Sequence, residues 1–350
     1  MQGTARYIMV WGSGRLEPGS AEPSEVHAAD GSVAIVLERA DQLDAARKSG
    51  IVGKDSRVFV PGVYDDLDGP IILGYDGSLS DPGGDVQVGV QFFVQTQDYG
   101  TSEYLSLIGA TLVKIVDMSD FDAFLADADG AIETGTIPDF ATHPMLRLCD
   151  SGSLGGTADV DGPKLRLYVD RDGAISTSTG GAKLGELGDS LDQLEETWEK
   201  LNADSTRPCS VALGNTIDEQ KRVSALDERP WLPRYHGALD AVRGLRLRDI
   251  GEGADIRVSG FGGRLLPDLE DVDEPRDLVR EDVPYVLWTD DSAYLRCAVD
   301  DRTFQLSHDA GRAAEALIVH GSVHAAAAHG DEAVLRQVSD HFASVGLSLT

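Results

Sequence analysis

Gly12-Ser13-Gly14 follows a short apolar run and Glu38 closes the next one, a spacing that suits a dinucleotide-binding turn with an acidic residue on the ribose. That turn needs a third glycine where Glu17 stands and a helix aimed at the pyrophosphate, which Pro18, Gly19 and Pro23 do not permit. A plain strand-to-loop turn explains the same residues without a cofactor. Asp170-Arg171-Asp172-Gly173-Ala174-Ile175 has the carboxylates and glycine bend of the middle of an EF-hand loop. Thr179 stands where the bidentate glutamate should close that loop, and no helix precedes it, so a hairpin turn is expected. His320 and His324 have the spacing of a zinc pair on one helix face, but Gly321 and Ser322 between them signal a turn and solvated histidines. The pairs Asp65/Asp66 and Asp290/Asp291 offer a general acid and base, yet both fall in loops. Cys149, after Leu146-Arg147-Leu148, reads equally as a nucleophile and as a small buried hydrophobe. There is no G-x-S-x-G elbow, P-loop or H-E-x-x-H. No catalytic residue, metal ligand or cofactor is therefore expected.

Composition narrows the function classes further. Of 350 residues 60 are acidic and 30 basic, giving a net charge of −30, and Arg outnumbers Lys 23 to 7. A surface this acidic repels phosphates and no basic patch interrupts it in the sequence, so nucleic acid is excluded as a partner. Cys149, Cys209 and Cys297 are far apart and form no C-x-x-C pair, which excludes a disulfide framework and a four-thiolate metal or iron–sulfur site. The apolar run 7–11 is too short for a signal-peptide core, and no later run approaches a membrane span. A cytoplasmic protein with no membrane partner is expected.

The elements that must position any site read as an α+β multidomain chain. Apolar runs at 7–11, 33–37, 58–60, 71–74, 91–95 and 112–116 alternate with Gly, Pro and Asp breaks and predict strands, with helices over 43–48 and 120–129. These make an α/β-type domain over 1–150, jointed at the Gly-rich stretch 151–156. An α+β middle region, 151–266, opens on a hairpin at 165–178 and continues with helices over 190–202, 218–227 and 232–243 and a strand at 256–258. Residues 267–282, PDLEDVDEPRDLVRED, are acidic with two prolines and predict a solvated linker.

The remaining residues, 283–350, have a definite order: strands at 283–289, 293–299 and 303–307, a helix capped by Asp309 and ending at Gly321, a short Ala-rich helix at 323–329, and a last helix from Asp331 or Glu332. Three strands followed by three helices is the layout of a small winged helix. The run VLWTDDSAYLRCAVDDRTFQLSHDAGRAAEALIVHGSVHAAAAH resembles the recognition element of ribosomally synthesised natural-product (RiPP) pathways, of the kind seen in the pyrroloquinoline quinone peptide chaperone. The stretch YVDRDGAISTSTGGAKLGELGDSLDQLEETW resembles the SPASM-like auxiliary-cluster hairpin and helix of radical peptide-modifying enzymes, with Ser and Thr in place of the cluster cysteines. With VWGSG, VFVPG, QTQDY and VSGFGGRL, the whole chain is similar to the peptide-recognition proteins of actinobacterial daptide (antibiotic) biosynthesis.

The resemblance implies a non-enzymatic scaffold that binds the leader of a precursor peptide and presents it to separate peptide-modifying enzymes. Leader binding would be strand addition along Thr303, Phe304, Gln305, Leu306 and Ser307, with apolar side chains entering a groove lined by Leu335, Val338 and Phe342. Arg302 and Arg336 would hold leader carboxylates. A proline at Leu306 would then remove a donor from the edge strand. The competing readings are an enzyme seated in the N-terminal domain and a winged-helix regulator. The module 283–350 carries nine acidic and four basic residues, the wrong sign for DNA.

Overall fold

The structure is a computed structural model, and it describes residues 2–16, 30–62, 71–81, 83–89, 92–104, 109–156, 161–250, 255–272, 275–298, 300 and 302–350. The chain is mixed α+β and divides into two compact units, residues 1–124 with 145–228, and residues 125–144 with 229–350.

The first unit holds α1 (Gln2–Ser13), β1 (Ala34–Leu37), α2 (Leu43–Ser49), β2 (Arg57–Pro61), β3 (Ile71–Asp76), β4 (Asp85–Val88), β5 (Phe92–Asp98), β6 (Ala110–Lys114), the start of α3 (Met118–Thr134), β7 (Leu146–Leu148), β8 (Arg166–Val169), β9 (Ala174–Ser176), β10 (Gly185–Glu186), α4 (Leu191–Ala203) and α5 (Glu219–Glu228). Its ten strands form one sheet in the order β10-β9-β8-β1-β2-β3-β4-β5-β6-β7, in which only β4 and β9 run against the rest. Ala34–Leu37 is buried along its whole length because parallel neighbours flank it on both sides and both faces are covered.

Residues 7–11, expected to be extended, are helical. The run is apolar without interruption because α1 is buried all round: Ile8, Met9 and Trp11 enter the core of the sheet, while Val10 packs on Leu165 behind it. A short continuous apolar run carries no periodicity that separates helix from strand. The helix ends where Gly14 takes a φ of +70° and its N–H caps the Val10 carbonyl. α1 packs against β1 and β8 and also against β6 and β7. In a flat sheet β1 and β6 would stand five spacings, about 24 Å, apart, whereas a helix is only about 10 Å across. The sheet is therefore curled around α1.

The sheet also runs past residue 150, where the sequence suggested a boundary. β8 returns to pair in parallel with β1, and the β8–β9 hairpin extends that edge. Its turn is closed by the Asp170 carboxylate, which accepts from the N–H groups of Asp172 and Ala174 at 2.9 and 2.8 Å, the hairpin reading of that motif. Ser190 and Gln193 form a reciprocal capping box that starts α4.

What joins α1, β7 and β8 is the fully buried guanidinium of Arg166. Its Nε and Nη2 grip both oxygens of Asp161 at 2.7 and 2.9 Å, and Nη1 donates to Asp150 at 2.7 Å and to the carbonyls of Trp11 and Gly12 at 2.9 and 3.2 Å. A Cβ on Gly14 would collide with this guanidinium, so glycine is needed there for space as well as for its φ.

The second unit contains the rest of α3, α6 (Leu232–Arg246), β11 (Arg257–Val258), α7 (Arg276–Val279), β12 (Tyr285–Trp288), β13 (Ala293–Arg296), β14 (Thr303–Leu306), α8 (His308–His320), α9 (Val323–Ala326) and α10 (Glu332–Ser344). The four strands are antiparallel in the order β11-β12-β13-β14. Val286, Trp288, Ala293 and Leu295 turn one face of the sheet to α8, α9 and α10. On the other face α6 offers two glycines: side chains at Gly237 and Gly244 would clash with Tyr285 and Arg296, which lie against the helix backbone. The helix cap expected at Asp309 is Ser307, whose hydroxyl accepts from the Ala310 N–H.

The segment 267–282 is not a solvated linker. Leu269 is in the core of the second unit, and Asp277 is buried in a two-pronged pair with Arg264 at 2.6 and 3.1 Å. Beside it the buried Glu315 carboxylate accepts from Ser259 and from the N–H groups of Leu265 and Leu266. Acid content alone mispredicts this stretch, because its buried carboxylate has a partner.

Arg166→Met leaves Asp150 and Asp161 buried without their cation. The expected loss is about 3–5 kcal/mol of stability, read from urea unfolding of the full chain; a midpoint equal to that of the wild type would show that the cluster does not hold the first unit together.

Candidate functional site

β14 is one edge of the second unit's sheet and the two-residue β11 the other. The Cys297 backbone N–H donates to the Arg302 carbonyl at 2.9 Å, which makes 297 and 302 a hydrogen-bonded pair in the β13–β14 register. In an antiparallel ladder such pairs alternate. Phe304 and Leu306 therefore spend their backbone groups on Leu295 and Ala293, while the N–H and C=O of Thr303 and Gln305 point outward, where no further strand of the described residues pairs.

The side chains alternate as well. Phe304 and Leu306 pack, half-buried, against the core under α8 and α10, and the Phe304 ring meets Phe342 edge-to-face at 5.4 Å. α10 starts at Asp331, whose carboxylate accepts from the N–H groups of Ala333 and Val334. Leu335 and Phe342 are core residues and Val338 is half-buried beside them; Val334 and Val345, 48% and 38% exposed, extend this apolar face into solvent. Thr303 and Gln305 face the other way. The Thr303 hydroxyl accepts from Arg248 at 3.1 Å and from Arg296 at 3.3 Å, and Gln305 donates to Ser292.

The expected residues thus separate into groups. Thr303, Phe304, Gln305, Leu306, Val338, Leu335 and Phe342 come together, the last two mainly as core. Arg302 sits at the start of the strip, donating to Asp300 and to the Val345 carbonyl, both at 2.6 Å, with its guanidinium 5.9 Å from the Phe304 ring. Ser307 is committed to capping α8. Arg336 pairs along the helix with Glu332 at 2.6 Å. Arg248 and Arg296 were missed: Arg248 lies 55 residues before Thr303 in the chain, and no local pattern marks it.

The other chemical candidates are occupied by structural roles. Gly12, Ser13 and Gly14 form the end of α1, with no strand-to-helix turn there. Glu38 accepts from Tyr168 at 3.1 Å and faces Arg171 at 3.5 Å. Burial pushes the Cys149 and Cys209 thiols up to about 12 and Cys297 up to about 11, far from thiolate chemistry at neutral pH. Lys114 is buried, its ammonium disfavoured by that burial, and it donates to the Leu79 carbonyl beside the Trp11 ring. Asp290 pairs with Arg257, and Asp65 and Asp66 lie outside the described residues. His324 is exposed, while His320 stacks on His329 at 4.9 Å. Among the described residues no group of three or more His, Cys, Asp and Glu is placed to hold a metal ion, and no helix is long and apolar enough to cross a membrane. Comparisons with protein-family models, curated proteins and solved structures find no match to the chain.

Burial, and then the neighbouring His329, hold the His320 pKa below its ordinary value, and its Nε2 has no hydrogen-bond partner among the described residues. A depressed folded value means that the neutral ring's contribution is complete above about pH 6.5 and is lost as the pH falls through the folded value. His320→Phe keeps a ring in the stack and removes the titration, so stability of the variant relative to wild type should rise between pH 7.5 and 5 in paired urea titrations. An offset independent of pH would contradict this.

Proposed function

We propose that the chain is a peptide-binding scaffold that takes up the leader of a ribosomally synthesised precursor by strand addition at β14 and presents it to separate modifying enzymes, as in daptide-like pathways. The observation that carries this reading is the pairing of an open edge, the outward backbone groups of Thr303 and Gln305, with an adjoining exposed apolar face on α10. Strand addition draws affinity from main-chain bonds and specificity from pockets for alternate side chains. Three strands followed by α8, α9 and α10 support assigning 283–350 to the winged-helix recognition elements, with β11 as an added strand on the far edge. The cysteine-less hairpin β8–β9 and helix α4 we read as scaffold, since a carboxylate and a capping box hold them.

The register changes which substitution tests the idea. Leu306→Pro would remove a donor directed at β13 and so disrupt the sheet itself. Gln305→Pro removes an outward donor and is compatible with an edge strand. In a titration of the full chain with the fluorescent leader of the precursor encoded beside its gene, Gln305→Pro should weaken binding about tenfold, equivalent to ~1.4 kcal/mol, and Val338→Asp should weaken it at least as much. Unchanged affinity for folded Gln305→Pro, or no binding by the wild type, would overturn strand addition.

A further inference from the structure

We infer that the first unit carries a separate site at the carboxyl ends of its parallel strands, where the Lys114 amine takes up an uncharged aldehyde as an imine; this goes beyond the peptide-binding reading and does not depend on it. β1, β3, β6 and β8 run in one direction, so Glu38, Tyr75, Lys114 and Tyr168 lie at the same end of the sheet. In open sheets of parallel strands, ligands bind outside the carboxyl ends. Tyr75 and Tyr168 belong with Leu112 to the core that surrounds Trp11, and Lys114, two residues beyond Leu112 on β6, turns to the same inner face. Its Nζ lies 5.9 Å from the centre of the Trp11 ring, which is itself fixed by donation from Nε1 to the Leu167 carbonyl at 3.0 Å. Both phenol hydrogens are committed, that of Tyr75 to the Leu37 carbonyl at 2.8 Å and that of Tyr168 to Glu38 at 3.1 Å.

Lys114 differs from its neighbours in having bonding capacity left over. Only 4% of it is exposed, and among the described residues its nitrogen has a single hydrogen-bond acceptor, the Leu79 carbonyl. An ammonium carries three donors and would bury two of them unmet. Burial accordingly drives the Lys114 pKa down, against the opposing pull of Cys149 and of the carboxylates of Asp150, Glu38 and Asp81. A neutral amine that donates one hydrogen to Leu79 keeps its lone pair, and a desolvated lysine of this kind is the nucleophile that forms imines with carbonyl compounds. The lone pair attacks the carbonyl carbon and a proton passes from nitrogen to oxygen. The resulting hydroxyl then leaves with the second nitrogen-bound hydrogen as water, so no further reactant is needed. The acids around the amine select the ligand by charge, because an anionic aldehyde meets like charges there and an uncharged one does not. The amine lies one layer below solvent, since Leu79, which holds it, is followed by the half-buried Ser80 and the exposed Asp81.

The test treats the full chain at pH 7 with propanal and cyanoborohydride, which fixes an imine as a propylated amine, and maps the modification over all seven lysines by mass spectrometry. Fewer than about one in a thousand ordinary lysine amines are neutral at that pH, so Lys114 should be propylated at least about tenfold faster than the exposed Lys48 and Lys54. Unfolding in urea should erase that lead. Glyoxylate, an anionic aldehyde, should modify Lys114 no faster than the exposed lysines. Lys114→Met, checked for folding by circular dichroism, should lose the fast-reacting fraction and leave the other sites unchanged; should it fail to fold, the map of the wild type decides alone. Lys114 reacting no faster than Lys48 and Lys54 in the folded chain, keeping its lead in urea, or taking glyoxylate as readily as propanal would overturn the inference. Leader binding at β14 is measured separately and stands or falls without it.

Discussion

A guanidinium with no access to water sits where the curled sheet meets its central helix. Taking Arg166 and two carboxylates out of solvent costs several kcal/mol per ion, and only near-complete hydrogen bonding repays it. Burial opposes the charge on Arg166, but Asp161 and Asp150 outweigh that effect and keep it protonated. The five bonds it makes reach the end of α1, Asp150 two residues after β7, and the loop that leads into β8. Those segments are far apart in sequence, and apolar contact alone, being non-directional, would not fix their register. The bonds of Arg166 to the Trp11 and Gly12 carbonyls satisfy acceptors that every helix leaves open at its C-terminus. The same cluster accounts for the left-handed φ of Asp150 (+53°), whose N–H also bonds to Gly12.

The second unit uses the same device at a different place. Arg264 grips Asp277, Glu315 gathers Ser259 and two backbone N–H groups, and Arg234 stacks on Tyr285 at 3.6 Å while donating to the Val283 carbonyl. Each of these polar groups would be costly if buried without a partner. The preference for Arg over Lys then has a structural use, since a planar fork of five donors can meet two oxygens of a carboxylate and backbone carbonyls together, which an ammonium cannot. An acidic chain with scarce cations thus places several of them inside.

The sequence is most legible where the pattern is local. The α4 capping box, the Asp170 turn, α8 with its terminal Gly321 and the α10 start at Asp331 all follow from neighbours within four residues. It is least legible where burial depends on distant partners. The run 7–11 is a helix because strands from separate parts of the sheet, β8 and β1 on one side and β6 and β7 on the other, enclose it, and the hairpin after residue 150 belongs to the first sheet because β8 pairs with β1. Asp277 is buried because Arg264 meets it. The same division holds at the candidate site. Thr303 to Leu306 and the apolar positions of α10 are visible from spacing alone, whereas Arg248 reaches Thr303 from another part of the unit and only the fold brings it there.

The short length of β14 decides how a peptide could be selected there. Thr303 and Gln305 offer four outward backbone groups, and at about 0.5–1.5 kcal/mol net for each bond they total only a few kcal/mol. Immobilising a flexible partner costs about 4–15 kcal/mol before side-chain ordering is counted. Backbone pairing at this edge therefore cannot retain an arbitrary extended chain, and two copies of the protein gain little by pairing β14 with β14. Retention needs apolar side chains against Val334, Val338 and the Phe304 ring, each worth about 1.5–3 kcal/mol when fully buried. An edge this short, flanked by an apolar helix face on one side and arginines on the other, leaves the choice of ligand to the side chains while the backbone sets only its direction and register.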